Sequence, residues 1–308
     1  MPRETEKIIK LMHQYLEEHA PENATEEEMR RLMDEFVSEY NKDPDAYLNR
    51  LEETADDYLE KAYNARSRKD KLKNAQKALE LEPNNCDAMK MMIDLTCASE
   101  NSRLEGFEQA LAKADAWLKK EGYLPENMGH FWGVPETRPY MRLKRAYIDE
   151  LLDYDMYGKA MSECERMVEL SENDNLGVRY QLMGLYCFLD REREALKLHK
   201  KYGHLEETQM LLPLCVLYYN KRKLSKAKNY LERLCKANPD TEEFLDAIVQ
   251  RRIDKYTENH NSDVYRPGSA EELVMTFDEN LFLYGNARTF YAWANAVLNE
   301  SGTKEKEQ

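Results

Sequence analysis

The chain has 308 residues, and 42% of them are hydrophobic, which is enough for a sizeable core and excludes wholesale disorder. Its net charge of −14 lies mainly in residues 1–60, where 7 Lys and Arg residues stand against 18 Asp and Glu residues. A protein that follows nucleic-acid phosphates needs clustered positive charge, so this balance argues against a nucleic-acid partner.

The first two predicted elements form an acidic pair of helices in residues 1–44. Only 11 glycines and 10 prolines occur in the chain, and this scarcity of turn residues favours helices over strands. Pro21 ends the first helix, whose apolar residues recur at helical spacing. Thr25 followed by Glu28 is a capping-box pattern that begins the second helix.

From about residue 45 the sequence becomes repetitive, with a period close to that of a tetratricopeptide repeat (TPR). Ala160, Ala195 and Ala227 are 35 and 32 residues apart in matching apolar surroundings, as small residues at helix crossings would be. Residues 45–256 are therefore predicted to be a TPR-like array, and residues 257–308 a linker, capping helices and a disordered tail. The expected fold is all-α, a right-handed superhelical solenoid of helix–turn–helix units with a small N-terminal helical segment.

No feature of the sequence indicates export or membrane insertion. The N-terminus lacks the apolar run of a signal peptide, and no stretch of about 18 apolar residues occurs. The six cysteines are far apart and contain no CxxC pair, so neither disulfides nor a zinc site is expected. We therefore expect a cytoplasmic protein without membrane contact.

Three segments are more specific than the periodicity. They are HFWGVPETRPYMR at His130–Arg142, DNLGVRY at Asp174–Tyr180 and YRPGSAEE at Tyr265–Glu272. Together they resemble a family of tetratricopeptide proteins related to the suppressor of tumorigenicity 7 group, over roughly residues 120–300. The resemblance implies a helical repeat scaffold without an established activity. The chain departs from the family pattern at Leu176, where Gln is usual, and in its weak first repeats.

Two of these segments have the composition of helix starts. Thr137 is a candidate N-cap with Pro139 in the first helical turn, and Asp174 begins a helix in the same way. Gly177 is expected to let another backbone or a ligand approach closely. The large side chains of these segments either form a structural joint between repeats or contact a ligand: Trp132, Arg138, Tyr140, Arg179 and Tyr180.

No motif indicates catalysis, a cofactor or a metal site, so we expect no enzyme activity. We predict a protein- or peptide-binding scaffold, in which the first helix of each repeat lines a groove. Arg and Tyr anchor interfaces, and Asn and Gln can hold an extended backbone. The groove-facing candidates are Arg142, Arg145, Asp149, Tyr180, Gln209, Tyr219 and Asn220. Arg142 and Arg145 suit an acidic peptide, and replacing both with alanine is expected to weaken binding without changing the melting.

A second class of function is a regulatory module that recognises a small ligand and gates a partner protein. This alternative requires a buried polar pocket, with Arg138 and Arg179 converging near Trp132. The scaffold requires a continuous open groove instead. Neither function needs a cofactor.

Overall fold

The computed structural model describes residues 3–21, 23–44, 53–258 and 265–306, and describes side chains up to residue 300 except those of residues 3, 4 and 7. The first seven long helices are α1 (Arg3–His19), α2 (Glu26–Lys42), α3 (Ala55–Asn64), α4 (Arg68–Leu81), α5 (Cys86–Thr96), α6 (Glu100–Lys120) and α7 (Arg138–Asp153). They are followed by α8 (Tyr157–Leu170), α9 (Val178–Phe188), α10 (Glu192–Lys201), α11 (Thr208–Asn220), α12 (Leu224–Ala237), α13 (Thr241–Val249), α14 (Ala270–Glu279) and α15 (Arg288–Lys306). Shorter helical turns lie at Tyr123–Glu126, Phe131–Gly133, Pro135–Thr137, Asp254–Thr257 and Leu281–Tyr284.

The predicted all-α fold is confirmed for the described part of the chain. Those residues form no strand, and a single antiparallel bridge joins His130 to Ser171. None of the described helices is long and apolar enough to cross a membrane. The cysteines are free thiols, and four of them are buried: Cys86, Cys164, Cys187 and Cys215.

The chain divides into two compact units. The first contains residues 1–156 and 169–173, and the second contains residues 157–168 and 174–308. The acidic N-terminal pair therefore belongs to the same unit as α3–α7, and α14 and α15 belong to the same unit as α9–α13. The boundaries predicted from the sequence lie after residues 44 and 256 and stay predictions.

The N-terminal helices α1 and α2 contact each other. The predicted capping box is present, since the Thr25 hydroxyl accepts the Glu28 amide at 3.3 Å and the Glu28 carboxylate accepts the Thr25 amide at 2.9 Å. The rings of Tyr15 and Phe36 lie 5.6 Å apart between the two helices. Within α2 only Leu32 and Phe36 are buried, so this helix is exposed over most of its surface.

Alanine allows the helices of the first unit to approach closely. The buried cluster of α3, α4 and α5 consists mainly of small side chains: Ala55, Leu59, Ala62, Ala75, Ala78, Ala88 and Met91. Helix α7 contacts both α5 and α6. The rings of Phe107 and Tyr147, 5.8 Å apart, join α6 to α7. These contacts fix the orientation of α7, which carries the candidate site.

Helix α11 is the central element of the second unit. Every residue from Thr208 to Tyr218 is buried, and the helix contacts α9, α12, α14 and α15. Ala195 and Ala227 are fully buried, as expected for residues at helix crossings. The Cys215 thiol donates to the carbonyl of Ala227 at 3.3 Å, so α11 and α12 lie very close at this alanine.

One turn geometry recurs along the chain. Asp155, Asp190 and Arg222 each have a φ of 57°, and each lies five residues before one of the alanines that defined the period. The amide of each of these residues donates to the carbonyl three residues back, and the next amide donates to the carbonyl five residues back. This is the Schellman pattern of a helix C-terminus. The repeated turn is the structural counterpart of the sequence period.

The turn at Arg222 provides a test of this geometry. A left-handed conformation costs an L-residue about 1–2 kcal/mol, whereas glycine adopts it freely. Glycine loses more chain entropy on folding, and this loss offsets part of the gain. We therefore expect Arg222→Gly to raise the free energy of unfolding, measured by urea denaturation, by about 0.5–1 kcal/mol. Lys228→Gly, at an exposed position inside α12, is the control and should lower stability by about 1 kcal/mol. Equal losses in both variants would contradict the left-handed turn.

Candidate functional site

Three arginines lie along one face of α7. Arg138, Arg142 and Arg145 are separated by four and three residues, a spacing that places side chains next to one another on a helix. We call these residues the basic stripe. Pro139 lies in the first turn of α7, as predicted, where its missing amide costs no intrahelical hydrogen bond. The local sequence therefore starts the helix at the first residue of the stripe.

The loop before α7 is held by side chains of the HFWGVPETRPYMR segment. Thr137 stands at the N-cap position but makes no capping bond. Its hydroxyl donates instead to the carbonyl oxygens of Phe131 and, at 3.0 Å, of Val134, so the predicted capping bond is wrong. The hydroxyl of Tyr140 donates to Asp115 at 2.6 Å. Thr137 therefore holds the loop in its own conformation, and Tyr140 joins the segment to α6.

Arg142 binds two carboxylates from distant parts of the sequence. Its Nε and Nη2 atoms donate to Asp87 at 3.0 and 2.6 Å, and its Nη1 atom donates to both oxygens of Glu6 at 2.9 Å. Burial opposes the charged form of Arg142, but Asp87 and Glu6 outweigh this effect and raise its pKa. The side chains of Glu6 and Asp87 are only 6% and 9% exposed. This is a buried ion cluster with good hydrogen-bond geometry.

The other two arginines of the stripe have different surroundings. Arg138 donates from Nε to the carbonyl of Trp132 at 2.8 Å, lies 5.8 Å from the centre of the Trp132 ring, and approaches Glu6 to 3.7 Å. Arg145 pairs with Asp149 at 3.1 Å, and the Asp149 side chain is 53% exposed. Arg138 is therefore covered, whereas the side chains of Arg142 and Arg145 are 21% and 23% exposed, and of these two only Arg145 has a largely exposed partner.

Helix α1 brings matching charges to this surface. Glu6, Lys10 and His13 recur at intervals of four and three residues, so they share one face of α1. We call them the α1 stripe. Glu6 contacts the basic stripe, Lys10 donates to Asp56 at 2.9 Å, and His13 Nδ1 lies 3.1 Å from Glu136. Burial opposes the charge of Lys10, but Asp56 outweighs it and raises the pKa of the amine.

The α1 stripe was not predicted from the sequence. Its three residues do not stand out there, because most of the other residues of α1 are polar as well. The partners of the stripe carried no signal either, since Asp56, Glu136 and Arg142 lie in three separate elements.

A cavity of about 410 Å³ lies beside Lys10 in the first unit. Glu82 and Glu136 are among its lining residues. Its apolar walls come from Leu81, Pro83, Trp117, Pro139 and Tyr140. Such walls suit an apolar or aromatic group with a few polar contacts at the edge. The sequence analysis gave no indication of this cavity.

In the second unit the DNLGVRY segment begins α9. The carboxylate of Asp174 accepts the amides of Val178 and Arg179, both at 2.8 Å, but the helix begins only at Val178 with Gly177 at the N-cap position, so the predicted start at Asp174 is wrong. Gly177 has a φ of 67°, and only the ring of Tyr180 lies near it. Glycine is thus required here by the left-handed backbone and not by the close approach that was predicted.

Arg179 and Tyr180 are both engaged within the second unit. The guanidinium of Arg179 pairs with Asp174 at 3.1 Å and lies 4.1 and 5.3 Å from the ring centres of Tyr180 and Tyr202. It also donates to the Tyr180 hydroxyl, which in turn donates to Glu207 at 2.8 Å. The contacts of Arg138 given above lie in the first unit, and those of Arg179 lie in the second.

The remaining predicted groove residues lie along α11. Gln209 is buried, and its amide nitrogen donates to the Tyr265 hydroxyl at 3.2 Å. The ring of Tyr219 lies 5.6 and 5.1 Å from two aromatic rings of α15. Asn220 is exposed at the end of the helix. Gln209 and Tyr219 therefore bind the C-terminal segment of the same chain, and Asn220 remains accessible.

The YRPGSAEE segment lies against the first turn of α11. The buried carboxylate of Glu272 accepts the Thr208 hydroxyl at 2.9 Å and the Gly268 amide at 2.7 Å, and burial raises its pKa. Asn238 donates to the Thr208 hydroxyl at 3.0 Å and to a carbonyl of the segment at 2.9 Å. The resemblance pointed to this segment, but no pattern in the sequence indicated the network around Glu272.

No protein-family model matches the chain, and no curated protein matches it. The resemblance to tetratricopeptide proteins of the suppressor of tumorigenicity 7 group therefore stays a prediction. Among the residues that the structure describes, no group of three or more His, Cys, Asp or Glu side chains could hold a metal ion. The candidate site is thus the surface of the first unit that carries the basic stripe, the α1 stripe and the adjoining cavity.

Proposed function

We propose that this protein is a non-catalytic scaffold of TPR-like repeats that binds a protein or peptide partner on the face of α7. The basic stripe is the main contact for acidic side chains of the partner. The observation that carries the proposal is the binding of Glu6 by Arg142. These residues are 136 positions apart in the sequence, so α7 already binds an acidic side chain from a remote segment. Guanidinium–carboxylate bonds of this kind are charge-assisted and geometrically specific.

The second unit supports the same proposal. Gln181 of α9 donates to the carbonyl of Glu279 at 2.7 Å, and Gln209 of α11 donates to Tyr265. In both compact units, side chains on the first helix of a helix–turn–helix pair bind a segment from outside the repeats. Such a surface is suited to extended or helical segments of another protein.

A small-ligand function is the second candidate, favoured by the cavity beside Lys10. Its volume of about 410 Å³ is within the range of small-molecule sites. The two functions differ in their dependence on Arg145, which is not among the residues that line the cavity. Uptake of a small ligand would not respond to a change at Arg145, whereas binding of an acidic partner would.

The scaffold proposal is tested with the variant Arg145→Glu. A partner is recovered by affinity capture on the full chain, identified by mass spectrometry, purified, and titrated calorimetrically against each variant. We expect Arg145→Glu to weaken binding by about tenfold or more, because a charge-assisted contact becomes a repulsion. Lys113→Glu, an equal charge change at an exposed position of α6, should change the Kd less than about twofold.

Folding must be unchanged for this comparison to hold. Arg145 and Asp149 form an ion pair with one largely exposed partner, and such pairs contribute at most about 1 kcal/mol. Circular dichroism melting should therefore be nearly equal for the two variants. Identical Kd values for Arg145→Glu and the wild type would exclude the basic stripe as the binding surface.

A further inference from the structure

The contacts of α1 with α3, α7 and the Pro135–Thr137 turn resemble those of a bound ligand. Three side chains of one helix face reach three separate elements: Glu6 reaches α7, Lys10 reaches α3, and His13 reaches the Pro135–Thr137 turn. Each of these contacts joins opposite or potentially opposite charges. The ring of Tyr15, by contrast, packs on α2. These three contacts form a charge pattern that another helix could reproduce.

The three contacts differ in solvent exposure. In the pair of Glu6 with Arg142 the side chains are 6% and 21% exposed, whereas both members of the Lys10–Asp56 pair are 29% exposed. His13 is 44% exposed in its contact with Glu136. Partly exposed pairs contribute little each and are weakened by salt. Among these three contacts, that of Glu6 is thus the least exposed to solvent, and the other two set the register of α1.

We propose that Arg142, Arg138, Asp56 and Glu136 form a helix-binding site for a partner and that α1 is its intramolecular ligand. The partner is an amphipathic helix with an acidic residue followed four and seven residues later by basic residues. This inference rests on the proposed scaffold function and names both the partner and the regulation of that site. The partner helix and α1 compete for the same arginines.

The competition favours α1 unless the partner makes a contact that α1 does not make. A tethered segment has an effective concentration on the order of millimolar, so a free helix with the same contacts binds poorly. The cavity beside Lys10 provides the additional contact, since α1 contributes only the Lys10 side chain to its lining. A partner with a large apolar residue near this position would bury surface that α1 leaves accessible.

The test uses the full chain and a fluorescein-labelled peptide of residues 1–20 as the probe. We expect Glu6→Lys to increase the affinity for the peptide by about tenfold or more over the wild type, because it weakens the intramolecular ligand and leaves the site intact. Glu17→Lys makes the same charge change at an exposed position of α1 and should bind the peptide as the wild type does. Fluorescence anisotropy measures the Kd of each pair.

A second variant of the chain and an altered peptide complete the experiment. Lys10→Ala weakens α1 at its second contact and should also increase peptide affinity, to a smaller extent, even if Glu6→Lys perturbs folding. A peptide that itself carries the Glu6→Lys change should fail to bind the Glu6→Lys chain. Such a peptide has no carboxylate at this position for the arginines of the site. Raising the salt concentration should weaken binding of the unchanged peptide.

The outcomes separate this inference from the scaffold function. Equal peptide affinity for the wild-type, Glu6→Lys and Glu17→Lys chains would overturn the inference. If Arg145→Glu still weakened binding of the captured partner in that case, the scaffold function would stand without the competition. Dimerisation of the wild-type chain in sedimentation, with no peptide binding by any variant, would assign the site to α1 of a second copy and also overturn the inference.

Discussion

Replacing Arg142 with alanine is expected to lower the free energy of unfolding by about 3–5 kcal/mol, the loss typical of a broken buried ion pair. The change leaves the carboxylates of Glu6 and Asp87 close together without the guanidinium that holds them. Both carboxylate side chains are less than a tenth exposed, so they lose their bonds in a poorly hydrated site. Urea denaturation, with the midpoint and slope fitted together, measures the effect.

Arg145→Ala is the matched control on the same helix face. Its partner Asp149 is 53% exposed, and loss of such a pair should cost no more than about 1 kcal/mol. The sequence suggested that both arginines could be removed without changing the melting, and the structure predicts instead that only Arg145 can. A loss below about 1 kcal/mol for Arg142→Ala would mean that Arg138 takes over the carboxylate of Glu6.

Gly184→Ala is expected to destabilise the second unit by about 1–3 kcal/mol, the usual cost of overpacking. A Cβ atom at this position would lie 2.0 Å from Oδ1 and 2.7 Å from Cγ of Asn280. Asn280 is 1% exposed, so its side chain has no free space into which it can turn. Thermal and urea denaturation should both show the loss, although alanine is favoured over glycine by about 1 kcal/mol in an open helix.

Gly158→Ala is the control for helix propensity. No atom lies within 4 Å of a Cβ atom at position 158, which is near the start of α8. Alanine should therefore stabilise the chain there by up to about 1 kcal/mol. A stabilising effect of Gly184→Ala as well would contradict the close contact with Asn280.

The helices and their period could be predicted from the sequence because both depend on local spacing. Ala160, Ala195 and Ala227 marked three units at matching positions, and all three are fully buried. The capping box at Thr25 was also predictable, since its bonds join residues only three positions apart. Patterns of this length are written directly in the sequence.

The site was predictable only in part, because its contacts join distant segments. Periodicity placed Arg142 on the groove-facing side of its helix, but it could not identify Glu6 as the partner of that arginine. The same holds for Gln209 and Tyr265, which are 56 residues apart. Charge complementarity between remote helices depends on the tertiary arrangement, and one sequence alone does not determine which opposite charges meet.

The enclosed helix α11 has a consequence for synthesis of the chain. Helix α14, which covers part of α11, begins about 50 residues after α11 ends. At a synthesis rate of roughly 5–20 residues per second, this part of α11 stays uncovered for several seconds. An apolar segment in this state is prone to associate with other nascent chains. The lysines and arginines of α10 and α12 flank it on both sides in the sequence, where charged residues oppose aggregation. The charges of these outer helices thus protect the chain before it folds.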